Sequence, residues 1–156
     1  MNEVVYIETS VVSYVVARPS RNFASLLRQQ AARLWWEHRR PWCVCYISEL
    51  VADEAAEGDA EMARQRLALL AGIERLPATE EAGTLAAAFI ATGAMPPTSS
   101  DDAVHLAIAT CAGVEFLVTY DTRHLANPHI LRRLRREAAL HGWTLPEVCS
   151  PEQLIA

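Results

Sequence analysis

A chain of 156 residues, 51% hydrophobic and 21% charged, fits one globular domain, long enough to bury about 70% of its unfolded surface without disulfides or structural metal. Its 14 basic residues against 19 acids leave a net charge of −5, and every one of the 14 is arginine. Without lysine there is no P-loop, no Schiff base and no lysine nucleophile, and the six glycines form no G-x-G-x-x-G. Cys43, Cys45, Cys111 and Cys149 contain no Cys-x-x-Cys, so zinc-ribbon and thioredoxin-type motifs are absent and reduced, mostly buried thiols are expected. Asn2 and Glu3 stand where a secretory leader would be basic, and no run of about 18 apolar residues occurs, so a cytoplasmic protein with no membrane partner is expected. A net acidic chain is no generic nucleic-acid binder, although arginines gathered beside a metal site can hold a phosphodiester.

Val4-Val5-Tyr6-Ile7 reads as a strand, followed by Glu8-Thr9-Ser10, whose polar groups are placed to cap a helix beginning near Val11. From Asn22, Phe23, Leu26, Leu27, Leu34 and Trp35 recur at helical spacing until Arg39-Arg40-Pro41. Trp42 to Ile47 is strand-like, Ser48 can cap a helix through Glu54 that stops near Gly58, and Asp59 can cap another running to Gly72. Ile73 to Leu76 reads as a third strand, and Thr79 begins an alanine-rich helix ending around Gly93. After the loop Met95-Pro96-Pro97-Thr98-Ser99-Ser100, Asp101 or Asp102 opens a helix that Gly113 closes. Phe116-Leu117-Val118 is a further strand with Thr119-Tyr120-Asp121 at its C-terminal end. A basic amphipathic helix follows Asn127-Pro128 as far as His141-Gly142. A short strand at Val148-Cys149 then precedes a helical tail started by Ser150-Pro151. Strands alternating with helices predict an α/β domain whose parallel sheet is covered on both faces.

In such a sheet the ligand crevice lies beyond the C-terminal strand ends, where the strand order reverses. Glu8 follows the first strand, Asp121 follows the Phe116 strand, and Asp102 opens a helix at the same rim. Glu54 lies about two turns in from Ser48. Taken singly, each of these acids is as well explained as surface charge or helix cap. Taken together, two carboxylates about 4 Å apart repel by roughly 4 kcal/mol at an effective dielectric of 20, so a cluster of four requires a compensating cation. An all-oxygen shell suits Mg²⁺ or Mn²⁺, which bind phosphates and activate water.

The runs YIETSVVSYV, ISELVADEAAEGD, SSDDAVHLAIAT and LVTYDTRHL resemble, in order and spacing, the PIN-domain proteins, particularly the VapC-type toxins of bacterial toxin-antitoxin modules. The resemblance covers nearly the whole chain. It implies a PIN-like three-layer fold, a divalent-metal-dependent ribonuclease activity, homodimerisation and inhibition by a cognate antitoxin protein. Carried over, the four family acids fall on Glu8, Glu54, Asp102 and Asp121, as catalytic residues and metal ligands, and Ser10 and Thr119 match small polar residues that steady them. The family usually has Asp at the first position; Glu8 moves the carboxylate oxygens by about 1.5 Å along an extended side chain. Asp102, directly before Ala103-Val104-His105, is preferred to Asp101.

His105, about one turn beyond Asp102, is placed to approach the phosphate or hold a carboxylate, or else simply to pack. Arg123 and His124 are candidate RNA contacts, whereas Arg132, Arg133, Arg135 and Arg136 read as the wet face of the last helix. Trp35 and Trp36, with Phe23 and Leu27, read as core or dimer surface in preference to a base-stacking platform. Two rivals stand beside a nuclease: a non-catalytic PIN-like module binding RNA or protein, and a phosphatase-type domain, which would commonly employ the lysine this chain lacks.

Overall fold

A computed structural model of the chain describes residues 2–155. It is a three-layer α/β fold built on a five-stranded, all-parallel sheet ordered β3-β2-β1-β4-β5. The strands are β1 (Val4–Ile7), β2 (Val44–Ser48), β3 (Glu74–Leu76), β4 (Phe116–Val118) and β5 (Glu147–Cys149). Seven α-helices connect them: α1 (Thr9–Val16), α2 (Phe23–Leu34), α3 (Glu49–Ala55), α4 (Ala60–Leu70), α5 (Glu80–Ala91), α6 (Ser100–Ala112) and α7 (Pro128–Leu140). One helical group has α1 packed on α2, α3 and α4; in the other, α5 packs on α6 and α7. Among the described residues no helix is long and apolar enough to cross a membrane.

The helix starts follow local chemistry. Asn22, Ser48, Asp59, Thr79 and Asn127 each accept a backbone N–H from the first turn of the helix they precede, as their short polar side chains favour. The strands bury Val5, Tyr6, Ile7, Ile47, Leu117 and Val118 completely against Trp35, Leu85, Phe89, Leu106 and Leu134. Helix α6 is buried on almost every side, Ala103 and the whole run His105 to Thr110 being inaccessible. A helix in that setting needs an unstrained end, and Gly113 supplies it in the left-handed conformation, φ 70°. Nothing lies within 4 Å of where a Cβ would sit, so Gly113→Ala is expected to cost only the backbone term, about 1 kcal/mol. Chemical denaturation should show the midpoint falling with an unchanged slope.

Several boundaries differ from the sequence-based expectation. Helix α1 begins at Thr9, two residues before Val11, because the Glu8 side chain caps it by accepting the Ser10 N–H. Helix α6 begins at Ser100, after a 3₁₀ turn over Pro97–Ser99, which puts Asp101 and Asp102 inside its first turn. Trp42 is not in a strand. The helix after α2 widens into a π-turn over Trp35–Arg39 and tightens into a 3₁₀ turn over Arg40–Trp42, where Pro41 fixes the backbone, leaving Trp42 69% exposed. The tail is a 3₁₀ turn over Pro151–Leu154. Trp35 and Trp36 are buried, which rules them out for base stacking, whereas Phe23 (73%) and Leu27 (49%) are exposed and leave the core. The four cysteines are free, Cys149 buried and the other three half-buried. Arg132, Arg133, Arg135 and Arg136 all lie on the solvent face of α7.

Candidate functional site

Strand order reverses at β1, which lies between β2 and β4, and in open parallel sheets ligands bind beyond the C-terminal strand ends at such a point, here the ends of β1 and β4. Glu8 is the first residue after β1 and Thr119 the first after β4. The Glu8 N–H continues the ladder to the Val118 carbonyl at 3.1 Å. Across this junction the Thr119 hydroxyl donates to Glu8 Oε1 at 2.6 Å, and the Ser10 hydroxyl donates to the same oxygen. The Ser10 N–H donates to Glu8 Oε2 at 3.0 Å. The longer side chain of Glu thus curls back over the start of α1, 7% exposed, with three donors on its carboxylate.

Ser10 and Thr119 each have a second partner. Ser10 Oγ accepts the Tyr120 N–H at 2.8 Å and Thr119 Oγ1 accepts the Asp121 N–H at 2.9 Å. The two hydroxyls therefore tie the Glu8 carboxylate to the loop that carries Asp121. In that loop Asp121 Oδ1 accepts the N–H groups of Arg123 and His124, both at 3.1 Å, a local turn that aspartate favours. Arg123 is exposed and His124 half-buried, with His124 Nδ1 buried and unpartnered. Neither side chain hydrogen-bonds within the described protein, and the only links of these residues to the acids run through their backbone.

Glu54, on the last turn of α3, is held by two donors on one oxygen: Oε1 receives Thr9 Oγ1 at 2.6 Å and lies 2.6 Å from His105 Nε2. Burial raises its pKa, but the hydrogen bond and charge of His105, with the Thr9 hydroxyl, outweigh that and hold it below the usual carboxylate range. His105 is fully buried; burial opposes its protonated form, yet Glu54 first, then Glu8 and Asp102, raise its pKa overall. Its other nitrogen, Nδ1, lies 2.6 Å from the Tyr6 hydroxyl, which is 2.7 Å from Ser48 Oγ. Burial, above all, keeps the Tyr6 hydroxyl protonated far beyond the ordinary phenol range.

Asp102 is half-buried and Asp101 exposed. Neither Asp102 carboxylate oxygen receives a hydrogen bond among the described residues. Burial, then the charges of Asp121 and Glu8, push its carboxyl up to about 7, with His105 opposing and Glu54 reinforcing. All four predicted acids thus act within one field. They do not, however, crowd equally. The tight group is Glu8, Glu54 and His105, whose ligand atoms all lie within 4.8 Å of one another, near enough to hold a metal ion. Asp102 and Asp121 are not members of that group. Sequence reasoning passed over Tyr6, which read only as a strand residue, and valued Thr9 and Ser48 as capping groups alone. No known family model matches this chain, and no curated protein or solved structure is detectably similar to it.

Proposed function

We propose that the protein is a divalent-metal-dependent endoribonuclease, of the kind that resemblance to VapC-type PIN-domain toxins implies. The observation that carries this reading is the unpartnered Asp102 carboxylate, pushed to about 7 in the field of Asp121, Glu8 and Glu54. A cation relieves such repulsion where no arginine or lysine does. The donors fit a hard ion: both Asp102 oxygens, Glu54 Oε2 and Asp121 Oδ2 receive no hydrogen bond among the described residues, and oxygen ligands suit Mg²⁺ or Mn²⁺. When bound, the ion would polarise a phosphodiester and lower the pKa of water.

In this reading Asp102 and Glu8 are the principal ligands, completed by Glu54 and Asp121. Thr119 and Ser10 fix the Glu8 carboxylate, and Thr119 also fixes the Asp121 backbone. The Arg123 guanidinium, exposed two residues beyond Asp121, is the cation available to an RNA phosphate. A cognate antitoxin and a second copy of the chain are the protein partners proposed with it. The test is thermal melting of the protein with and without Mg²⁺ or Mn²⁺, beside cleavage of an RNA pool. An ion at 100 times its dissociation constant should add about 2.7 kcal/mol of stability, which for a domain of this size is a rise of roughly 5–10 °C. No rise at millimolar metal would sink the reading.

A second reading, a non-catalytic module that binds RNA or protein, is favoured by one observation. Three protein donors already engage the Glu8 carboxylate, leaving less of it for a metal than an unpartnered acid would offer.

A further inference from the structure

His105 is ambiguous as it stands: it belongs to the tight Glu-Glu-His group, so it is positioned either to ligate an ion or to hold a carboxylate that does. The hydrogen bonds around it resolve the choice. Ser48 Oγ caps α3 by accepting the Val51 N–H at 3.4 Å, so the hydroxyl proton of Ser48 is available to the Tyr6 oxygen 2.7 Å away. Tyr6, which is buried, is then free to direct its own proton at His105 Nδ1, 2.6 Å away, an arrangement that the acceptor-only Glu54 carboxylate at Nε2 favours. With Nδ1 an acceptor, the neutral ring carries its hydrogen on Nε2, which faces Glu54 Oε1 at 2.6 Å. If the ring takes a second proton, the Tyr6 oxygen accepts from Nδ1 and Nε2 still donates. In both states Nε2 carries a hydrogen toward the acceptor-only carboxylate, whereas the tautomer with a bare Nε2 would set its lone pair against that oxygen.

We infer that Tyr6, through His105, is a positioning residue. The chain from Ser48 through Tyr6 and His105 engages one oxygen of Glu54, turns the other outward as a metal ligand, and keeps the imidazole out of the ion's shell. This deepens the proposed metal site and rests on that reading. It also accounts for why a buried histidine leaves the site an all-oxygen one, suited to Mg²⁺ as well as to Mn²⁺.

The experiment combines a spectroscopic and a binding readout. Long-range ¹H–¹⁵N spectra of the ¹⁵N-labelled full chain report which ring nitrogen of each histidine bears hydrogen, and His105 is assigned by its loss in His105→Gln. Protonated Nε2 is expected, unchanged on adding Mg²⁺. In Tyr6→Phe the Nδ1 signal should move. Metal affinity is then taken from melting shifts. His105→Leu should weaken Mg²⁺ binding about 10–100-fold, as loss of an outer-shell partner typically does. His105→Gln, whose amide can donate from nearly the same place, should recover at least about a tenfold part of that loss. A bare Nε2 in the parent, or an Nε2 that loses its hydrogen when metal is added, overturns the inference while leaving the metal reading intact. So does a Gln variant as weak as Leu. A parent with no melting shift in Mg²⁺ or Mn²⁺ overturns the metal reading and the inference with it. Should the Leu variant fail to fold, the parent's spectrum alone still decides.

Discussion

Asp102→Asn is expected to abolish RNA cleavage, by at least about 100-fold, while making the metal-free protein more stable at neutral pH. The substitution keeps the side-chain volume and removes the charge that burial, Asp121, Glu8 and Glu54 oppose. The folded-state pKa, about 7 against an ordinary 3.8, is raised, so the stability this group contributes is fully present below about pH 4. It is lost as pH rises through 7. Asparagine does not titrate, so the variant's advantage should open between pH 4 and 7 and stay constant above. A rise of about three pH units sets an upper bound near 4 kcal/mol. The side chain is only half-buried and solvent screens it, so about 1–2 kcal/mol is expected, or roughly 2–8 °C in melting temperature. Saturating Mg²⁺ should reverse the order, stabilising the parent and not the variant. Urea titrations at pH 4, 6 and 8, with and without metal, measure all of this; a variant that cleaves as well as its parent would remove Asp102 from the site.

The second large effect concerns Glu8, where the extra methylene is used structurally. Its carboxylate reaches back to the Ser10 N–H, the Ser10 hydroxyl and the Thr119 hydroxyl. Aspartate at this position draws the carboxylate back by about one methylene. Glu8→Asp should therefore lose about 10²-fold in rate through misplacement, while aspartate, itself a favoured N-cap, should leave the start of α1 intact. Glu8→Gln should keep much of the fold and lose the anionic ligand, hence the activity. The non-catalytic reading requires the opposite: Glu8→Gln leaves partner binding almost intact, and Glu8→Asp, introducing the acid usual in PIN-domain proteins, acquires metal-dependent cleavage. Assaying the three proteins on one RNA pool with Mn²⁺ separates the two. An inactive parent beside an active Glu8→Asp would refute the nuclease assignment.

The parallel α/β character was legible because the cues for it are local. Val4–Ile7 and Phe116–Val118 are short apolar runs rich in β-branched and aromatic residues, and Asn22, Ser48, Asp59, Thr79 and Asn127 are capping residues set before helical periods. Asp102 was preferred to Asp101 on its place directly before Ala103-Val104-His105, and the structure has it half-buried where Asp101 is exposed. Trp42 misled because aromatic residues favour strands, and the restraint of Pro41 overrode that preference. Tyr6 was invisible because the partners of its hydroxyl, Ser48 and His105, are 42 and 99 residues away along the chain. Strand order was likewise beyond reach: it depends on which distant segments pair, and β1 alone carries no sign that β4 will lie beside it.

That central place of β1 bears on when the acid cluster assembles during synthesis. Glu8 is made before its partners, and the Thr119 hydroxyl that orients it arrives 111 residues later, when β4 enters the sheet beside β1. A nascent chain that has completed β1, β2 and β3 holds Glu8 and Glu54 and lacks both Asp102 and Asp121. Pairing of parallel strands so far apart is intrinsically slow. Assembly of the acid cluster therefore waits on closure of the β1–β4 junction, and an intermediate that stops at β3 carries only half of the acids.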